Sequence, residues 1–292
     1  MVEEYARNSP LFARTNQYWE RLQSMAAGDE HLCHTLECSK LFEKQAERYD
    51  RCRPGYPGVA IDRLLGAKPA GLQVLDVGCG TGIAARQIAE CGADVLGVEL
   101  TPGMAEIARR YGTAVEIVAF EDWDAAGRRF DRVISAQAWH WLDLPAATAK
   151  AVSLLRPNGI LGLIWSGGAH PDDLADSLAE VYSSVVPRGT HGLFRGYAAN
   201  RSTDIREGLD GVVDALATNP DVGAVTEDWF PWTRRYRRDE WLELLLTNSQ
   251  YLALEVSLRQ RLFDAIATTI DDYGGSFVMS FETVLFTATR RD

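Results

Sequence analysis

No run of apolar residues in this chain approaches the ~18 that a membrane-spanning helix needs, so no membrane partner is expected. The amino-terminal Met1-Val2-Glu3-Glu4-Tyr5 is acidic and has no apolar h-region, so no signal peptide is expected either. Positive charge is scarce. Thirty Lys and Arg stand against 41 Asp and Glu, for a net charge of −11. Binding a nucleic-acid backbone takes a basic face to neutralise phosphates, so DNA, tRNA and rRNA are poor candidates for a substrate. The five cysteines are odd in number and show no pairing pattern, which suits a reducing cytosol. His31-Leu32-Cys33-His34 and Cys38 have the chemistry of metal ligands, but they lack Cys-x-x-Cys and His-x-x-x-His spacing. They fall in a stretch that otherwise reads as helix, so they read as packing and surface residues and no metal is expected.

What is present is a protein of 292 residues, 46% of them apolar, enough for a core domain with a cap. Its most informative stretch is Val74-Leu75-Asp76-Val77-Gly78-Cys79-Gly80-Thr81-Gly82. Val74, Leu75 and Val77 read as the end of a buried strand. Gly78, Gly80 and Gly82 let the backbone turn sharply and approach a ligand with no Cβ in the way. Ile83 to Cys91 reads as a helix whose first N–H groups face that ligand. Asp76 would repel a pyrophosphate but suits an ammonium group. The nicotinamide fingerprint is Gly-x-Gly-x-x-Gly, and the spacing here is one residue shorter. A cofactor with a cationic amino-acid end fits better, and S-adenosylmethionine (SAM) is the obvious one. Ala93 to Leu100 then reads as the next strand and ends in Glu99, placed to accept hydrogen bonds from ribose hydroxyls, with Leu100 beside it.

With these residues the chain resembles the class I SAM-dependent methyltransferases. The segment Tyr49-Asp50-Arg51-Cys52-Arg53-Pro54-Gly55-Tyr56-Pro57 is similar to one in small-molecule enzymes of the trans-aconitate methyltransferase-like type. The resemblance implies that Arg53 meets the cofactor carboxylate, as a forked guanidinium does well. It also implies that Tyr49 and Tyr56 wall the methionine end. After the third strand the family often has an acid that reads the adenine. Ala119 stands in that place here, which leaves the contact to the backbone of Phe120 or to the side chain of Glu121 or Asp122.

The pattern beyond alternates strand and helix, the signature of a doubly wound, mostly parallel α/β sheet. Strands are expected near 72–77, 94–99, 114–118, 130–136 and 159–165, with helices near 58–66, 83–91, 103–111 and 144–155. A sixth strand over Val222 to Tyr236, one or two helices over Asp239 to Tyr273, and a last strand over Ser276 to Thr289 complete a seven-stranded Rossmann-like methyltransferase sheet with a helical cap. The expected divisions are an N-terminal helical extension (1–45), a SAM-binding core (46–170), a less regular substrate-facing insert (171–220), and strands six and seven with a long helical insert (221–292).

The acceptor site is read from several places. Leu11, Phe12, Tyr18, Trp19, Leu22 and Met25 fall near helical spacing. That helix is either a lid presenting Tyr18 to the substrate or a homo-oligomer contact exchanged between subunits. Phe194 and Tyr197 belong to a glycine-containing loop that suits a substrate-facing role. After the fourth strand, Gln137-Ala138-Trp139-His140-Trp141 would lie beside the reacting methyl, Gln137 with the cofactor and Trp139 and Trp141 with the substrate. His140 is either a general base or a hydrogen-bonded wall residue. The run Arg234-Arg235-Tyr236-Arg237-Arg238 reads as a solvated rim, with an anionic substrate as its alternative. The acceptor expected from the whole is a small, largely apolar or aromatic metabolite, methylated on oxygen, nitrogen or carbon. C-methylation of a prenyl chain and a non-catalytic SAM-binding subunit remain as alternatives.

Overall fold

The computed structural model describes residues 45–187 and 209–291. Tyr18, Phe194, Tyr197, the His31–Cys38 cluster and the N-terminal helix lie outside them.

Helix α1 (Ala46–Cys52) ends where Pro54 forces Arg53 into an extended conformation. Helix α2 (Gly58–Leu65) buries Ala60, Ile61, Leu64 and Leu65, one face of a 3.6-residue repeat. Strand β1 (Gln73–Val77) is buried along nearly its whole length, as a central parallel strand covered on both faces must be. There follow α3 (Ile83–Glu90), β2 (Asp94–Glu99), α4 (Pro102–Arg110), β3 (Ala114–Ile117) and β4 (Phe130–Ala136). Proline opens α4 at a position where its missing N–H costs nothing. Helix α5 (Leu144–Leu154) is capped by Asp143, whose carboxylate accepts from the Ala146 N–H at 3.0 Å. Then come β5 (Leu155–Ala169), α6 (Asp172–Val185), α7 (Asp210–Thr218), β6 (Val222–Arg237), α8 (Arg238–Leu245), the short α9 (Ser249–Leu252), α10 (Val256–Asp272) and β7 (Ser276–Arg290).

The seven strands form one sheet in the order β3-β2-β1-β4-β5-β7-β6. The first five are parallel, and β7 inserts antiparallel between β5 and β6. Winding reverses between β1 and β4, which opens a crevice at the carboxyl ends of those strands. The fold is the Rossmann-like one expected.

Two features differ from the expectation. Residues 172–185 and 210–218 are regular helix, and the two helices part company. Val212 and Leu216 of α7 join the main core with Leu154 and Leu155, whereas Leu174, Leu178 and Tyr182 of α6 join α8 and α10 in a second cluster. Strand β5 also runs on from Trp165 to Ala169 past its last partner in β4, held by β7 residues Val284 to Ser280. At ~3.3 Å per residue this raises one half of the sheet by roughly 16 Å. The raised wall bears Trp232, Tyr236, Phe277 and Phe281, and the cap helices pack on it.

Candidate cofactor and acceptor site

The glycine turn after β1 is closed by the carbonyl of Val98, which accepts from Gly78 N at 2.8 Å and from Cys79 N at 3.2 Å. Gly78, Gly80 and Gly82 all have positive φ, at 67°, 56° and 81°. A Cβ on Gly78 would stand 2.6 Å from the Cβ of Ala138, so this position must be bare for the β4 loop to close over the turn.

Asp76 is fully buried, and neither carboxylate oxygen has a hydrogen-bond partner among the described residues. Burial, assisted by the charge of Glu99, pushes its pKa up to about 7. Glu99 is also buried, and burial raises its pKa. Its two oxygens accept from Gly80 N and Thr101 N, each at 2.8 Å, which ties the end of β2 to the glycine turn. Each of these oxygens keeps acceptor capacity for a ligand hydroxyl. Leu100 follows, half-buried.

Two tethers hold the α1–α2 segment over this turn, and neither was visible in the sequence. Arg86 donates to the Thr81 carbonyl at 2.8 Å and to Asp50 at 2.7 Å. Gln87 exchanges bonds with the backbone of Tyr56, accepting at 2.9 Å and donating at 2.8 Å. Tyr56 thereby comes within electrostatic reach of Tyr49, Asp76 and Arg53. Arg53 stacks over Tyr49, 5.0 Å from the ring centre. Its guanidinium donates to Thr247 Oγ1 at 2.8 Å and to Asn248 Oδ1 at 2.5 Å, so it joins the core to the cap. The only sequence signal for the tethers was their place on the helix opening at Gly82.

Beyond β3, Phe120 is buried, whereas Glu121 and Asp122 are exposed. Lys150 organises this loop. Its ammonium donates to the carbonyls of Phe120, Glu121 and Trp123 at 2.7, 3.0 and 2.6 Å. Trp123 is a core residue.

Past β4, Gln137 takes a left-handed conformation (φ 59°) and is pinned by Ile164 and Ser166 carbonyls, its side chain donating to the latter at 2.7 Å. Trp139 is fully buried in the main core, which corrects its assignment to the substrate wall. Trp141 is half-buried. His140 Nδ1 accepts from Trp165 Nε1 at 3.2 Å. An indole N–H can only donate, so Nδ1 is unprotonated and the neutral ring carries its proton on Nε2. Burial lowers the His140 pKa to about 4. Of the two roles open to it, wall residue is the one this geometry favours. The only basic lone pair of the ring is already occupied.

The basic run lies on the rim. Arg238 pairs with Asp239 and Asp271, at 2.8 and 2.6 Å, and Arg235 donates to Ser276. Among the described residues no helix is long and apolar enough to cross a membrane, and no group of His, Cys, Asp and Glu is placed to hold a metal.

Residues 74–159 match the family described as "methyltransferase domain". An uncharacterised methyltransferase of Mycobacterium tuberculosis is 38% identical over 142 residues, 46% of this chain and 55% of the relative. A ubiquinone biosynthesis O-methyltransferase of Cereibacter sphaeroides is 31% identical over 153 residues, 49% of this chain and 62% of the relative. The chain thus spans little more than half the length of the curated relatives it matches. A solved structure from Anaeromyxobacter dehalogenans, described provisionally as a type II methyltransferase, superposes with a TM-score of 0.56 at 23% identity. It covers 82% of this chain and 97% of its own, and supports the fold. Residues 74–159 of the chain thus carry the signature of a methyltransferase domain.

Proposed function

We propose that the protein transfers a methyl group from SAM to a small, largely apolar or aromatic acceptor by direct displacement. The observation that carries this reading is Asp76, a fully buried carboxylate without a partner among the described residues, at the end of β1 beside a glycine turn whose close approach a Cβ would spoil. An isolated buried carboxylate is costly unless something cationic pairs with it. The ammonium of an amino-acid cofactor end is such a partner.

The remaining residues fit the same ligand. Glu99 would take ribose hydroxyls with the acceptor capacity left after its two backbone bonds. The glycine-turn N–H groups of Gly78, Cys79 and Gly80 are already taken by Val98 and Glu99, so the first N–H groups of α3 would face the ligand, and Arg53 would take the carboxylate beside Tyr49. The loop held by Lys150 would receive the adenine through backbone groups of Phe120, and Gln137 fixes the floor where β4 ends. When bound, SAM supplies an electrophilic methyl on a sulfonium. The residues of the chain orient and desolvate, and alignment is the larger part of catalysis in a displacement. With Nδ1 of His140 committed to Trp165, the acceptor oxygen would not lose its proton to that ring. The O-methyltransferase relative supports oxygen as the nucleophile.

Calorimetric titration with SAM and S-adenosylhomocysteine tests the reading. Micromolar binding to the intact protein, lost in Asp76→Ala and Glu99→Ala, is expected. No binding by folded protein would overturn it.

A further inference from the structure

The cap buries two polar side chains that no hydrogen bond explains. His170, one residue past β5, is 6% exposed, and Tyr236 on β6 is fully buried. Neither ring nitrogen of His170 nor the Tyr236 hydroxyl has a partner among the described residues. The two flank the same pair of rings. His170 lies 4.8 Å from Trp241 and 5.2 Å from Phe277, and Tyr236 lies 5.4 and 6.1 Å from the same residues. Phe281, stacked on Trp232 at 4.2 Å, continues the aromatic surface.

Buried polar groups in folded proteins are almost always satisfied, and each exception calls for an explanation. Apolar residues of like shape would fill both places at lower cost, since an unmade hydrogen bond leaves its full desolvation penalty. Tyr236 is within electrostatic reach of Arg53 and Cys52, and Arg53 is likewise within reach of Tyr56.

We propose that His170 and Tyr236 are the polar recognition pair of the acceptor site, hydrogen-bonding a neutral hydroxyl or carbonyl of a planar or apolar molecule. This rests on the methyltransferase reading. The preference for a neutral group follows from the pair itself. Burial keeps His170 uncharged, with a pKa near 4, and holds the Tyr236 hydroxyl protonated. An imidazole with one donor and one acceptor beside a phenol matches a hydroxyl or carbonyl. The two arginines acting on Tyr236 are committed, Arg53 to Thr247, Asn248 and, on the reading above, the cofactor carboxylate, and Arg234 to the Tyr236 ring at 4.8 Å.

The experiment is a saturation-transfer NMR titration of the full chain, with and without S-adenosylhomocysteine, using 4-methylcatechol, toluene and 4-methylbenzoate as probes. The intact protein is expected to bind 4-methylcatechol at least tenfold tighter than the other two. Tyr236→Phe and His170→Phe should each weaken the catechol at least fivefold and leave toluene and S-adenosylhomocysteine unchanged. Tyr236→Phe removes one oxygen and no packing volume, so it keeps the test open if His170→Phe does not fold. Equal binding of the three probes, no binding of any, or a Tyr236→Phe variant that changes only the melting temperature would overturn the proposal. Loss of S-adenosylhomocysteine binding by the intact protein would instead strike the cofactor reading, and the titration without it still reads the pair.

Discussion

The Nε1–H of Trp165 donates to Nδ1 of His140 across 3.2 Å and thereby decides which nitrogen of that imidazole carries the proton. A ring so held is a hydrogen-bond donor through Nε2. Protonating it requires both the loss of the indole bond and the burial of a charge. The expected rate profile for methyl transfer therefore shows no limb near pH 6.5 from His140. A His140→Gln variant, which keeps an acceptor and a donor, should retain activity to within about tenfold, well short of the 10²–10⁴ typical of a lost acid or base. A loss of 10³ with a shifted profile would restore the base.

Asp76 makes a second prediction, through stability. Its folded pKa of about 7 lies above the ordinary carboxylate value of 3.8, so the ligand-free protein favours the protonated form. That contribution is fully present below pH ~4 and is lost as pH rises through ~7. Asp76→Asn should therefore stabilise the ligand-free protein at pH 8, by about 4 kcal/mol, and do little at pH 4. Urea unfolding at the two pH values measures it. A variant less stable at pH 8 would show that the carboxylate has a partner after all.

His170 works in the opposite direction. Its folded pKa of about 4 lies below 6.5, so its stabilising effect is present above pH ~6.5 and is lost as pH falls through ~4. Replacing it with Phe should flatten the fall in melting temperature between pH 6.5 and 4. An unchanged slope would mean that the imidazole keeps its ordinary pKa in the folded protein.

Lys150 carries a fourth. Its ammonium gathers three carbonyls of the loop that follows β3. Lys150→Met keeps much of the aliphatic stem and strands those acceptors. Bonds from a charged donor are worth about 1.5–3 kcal/mol each, although one ammonium shared three ways gives less than the sum. A loss of about 2–3 kcal/mol is expected, with weaker binding of the adenosine end. Unchanged affinity would remove this loop from the cofactor site.

What the sequence could reveal was local. The glycine turn, its two acids and the alternating strands are set by spacing along one segment, and the structure places them at one crevice. What it hid depends on partners far along the chain. Arg53 bonds to Thr247, 194 residues away, and Trp165 fixes His140 from the next strand. Trp139 and Trp141 could not be told apart, since neighbours on a tight turn point opposite ways and only the sheet beneath decides which is buried. The extension of β5 to Ala169 was missed because Gly167 and Gly168 read as the end of a strand. Gly168 is needed instead for packing, since a Cβ there would meet Met279 and Phe281 at 2.6 and 2.7 Å. The polar pair under the cap was missed for the same reason. His170 carries no local pattern, and Tyr236 was hidden in a run of arginines.

The central claim is that Asp76 exists to hold a cationic amino-acid end, and one comparison tests it most directly. Titrating the intact protein and Asp76→Asn with S-adenosylhomocysteine and with 5′-methylthioadenosine, which lacks the amino-acid portion, separates the ammonium contact from the rest of the site. The account predicts that the variant loses at least tenfold in affinity for S-adenosylhomocysteine and nothing for 5′-methylthioadenosine. Equal losses for both ligands, or none for either, would contradict it.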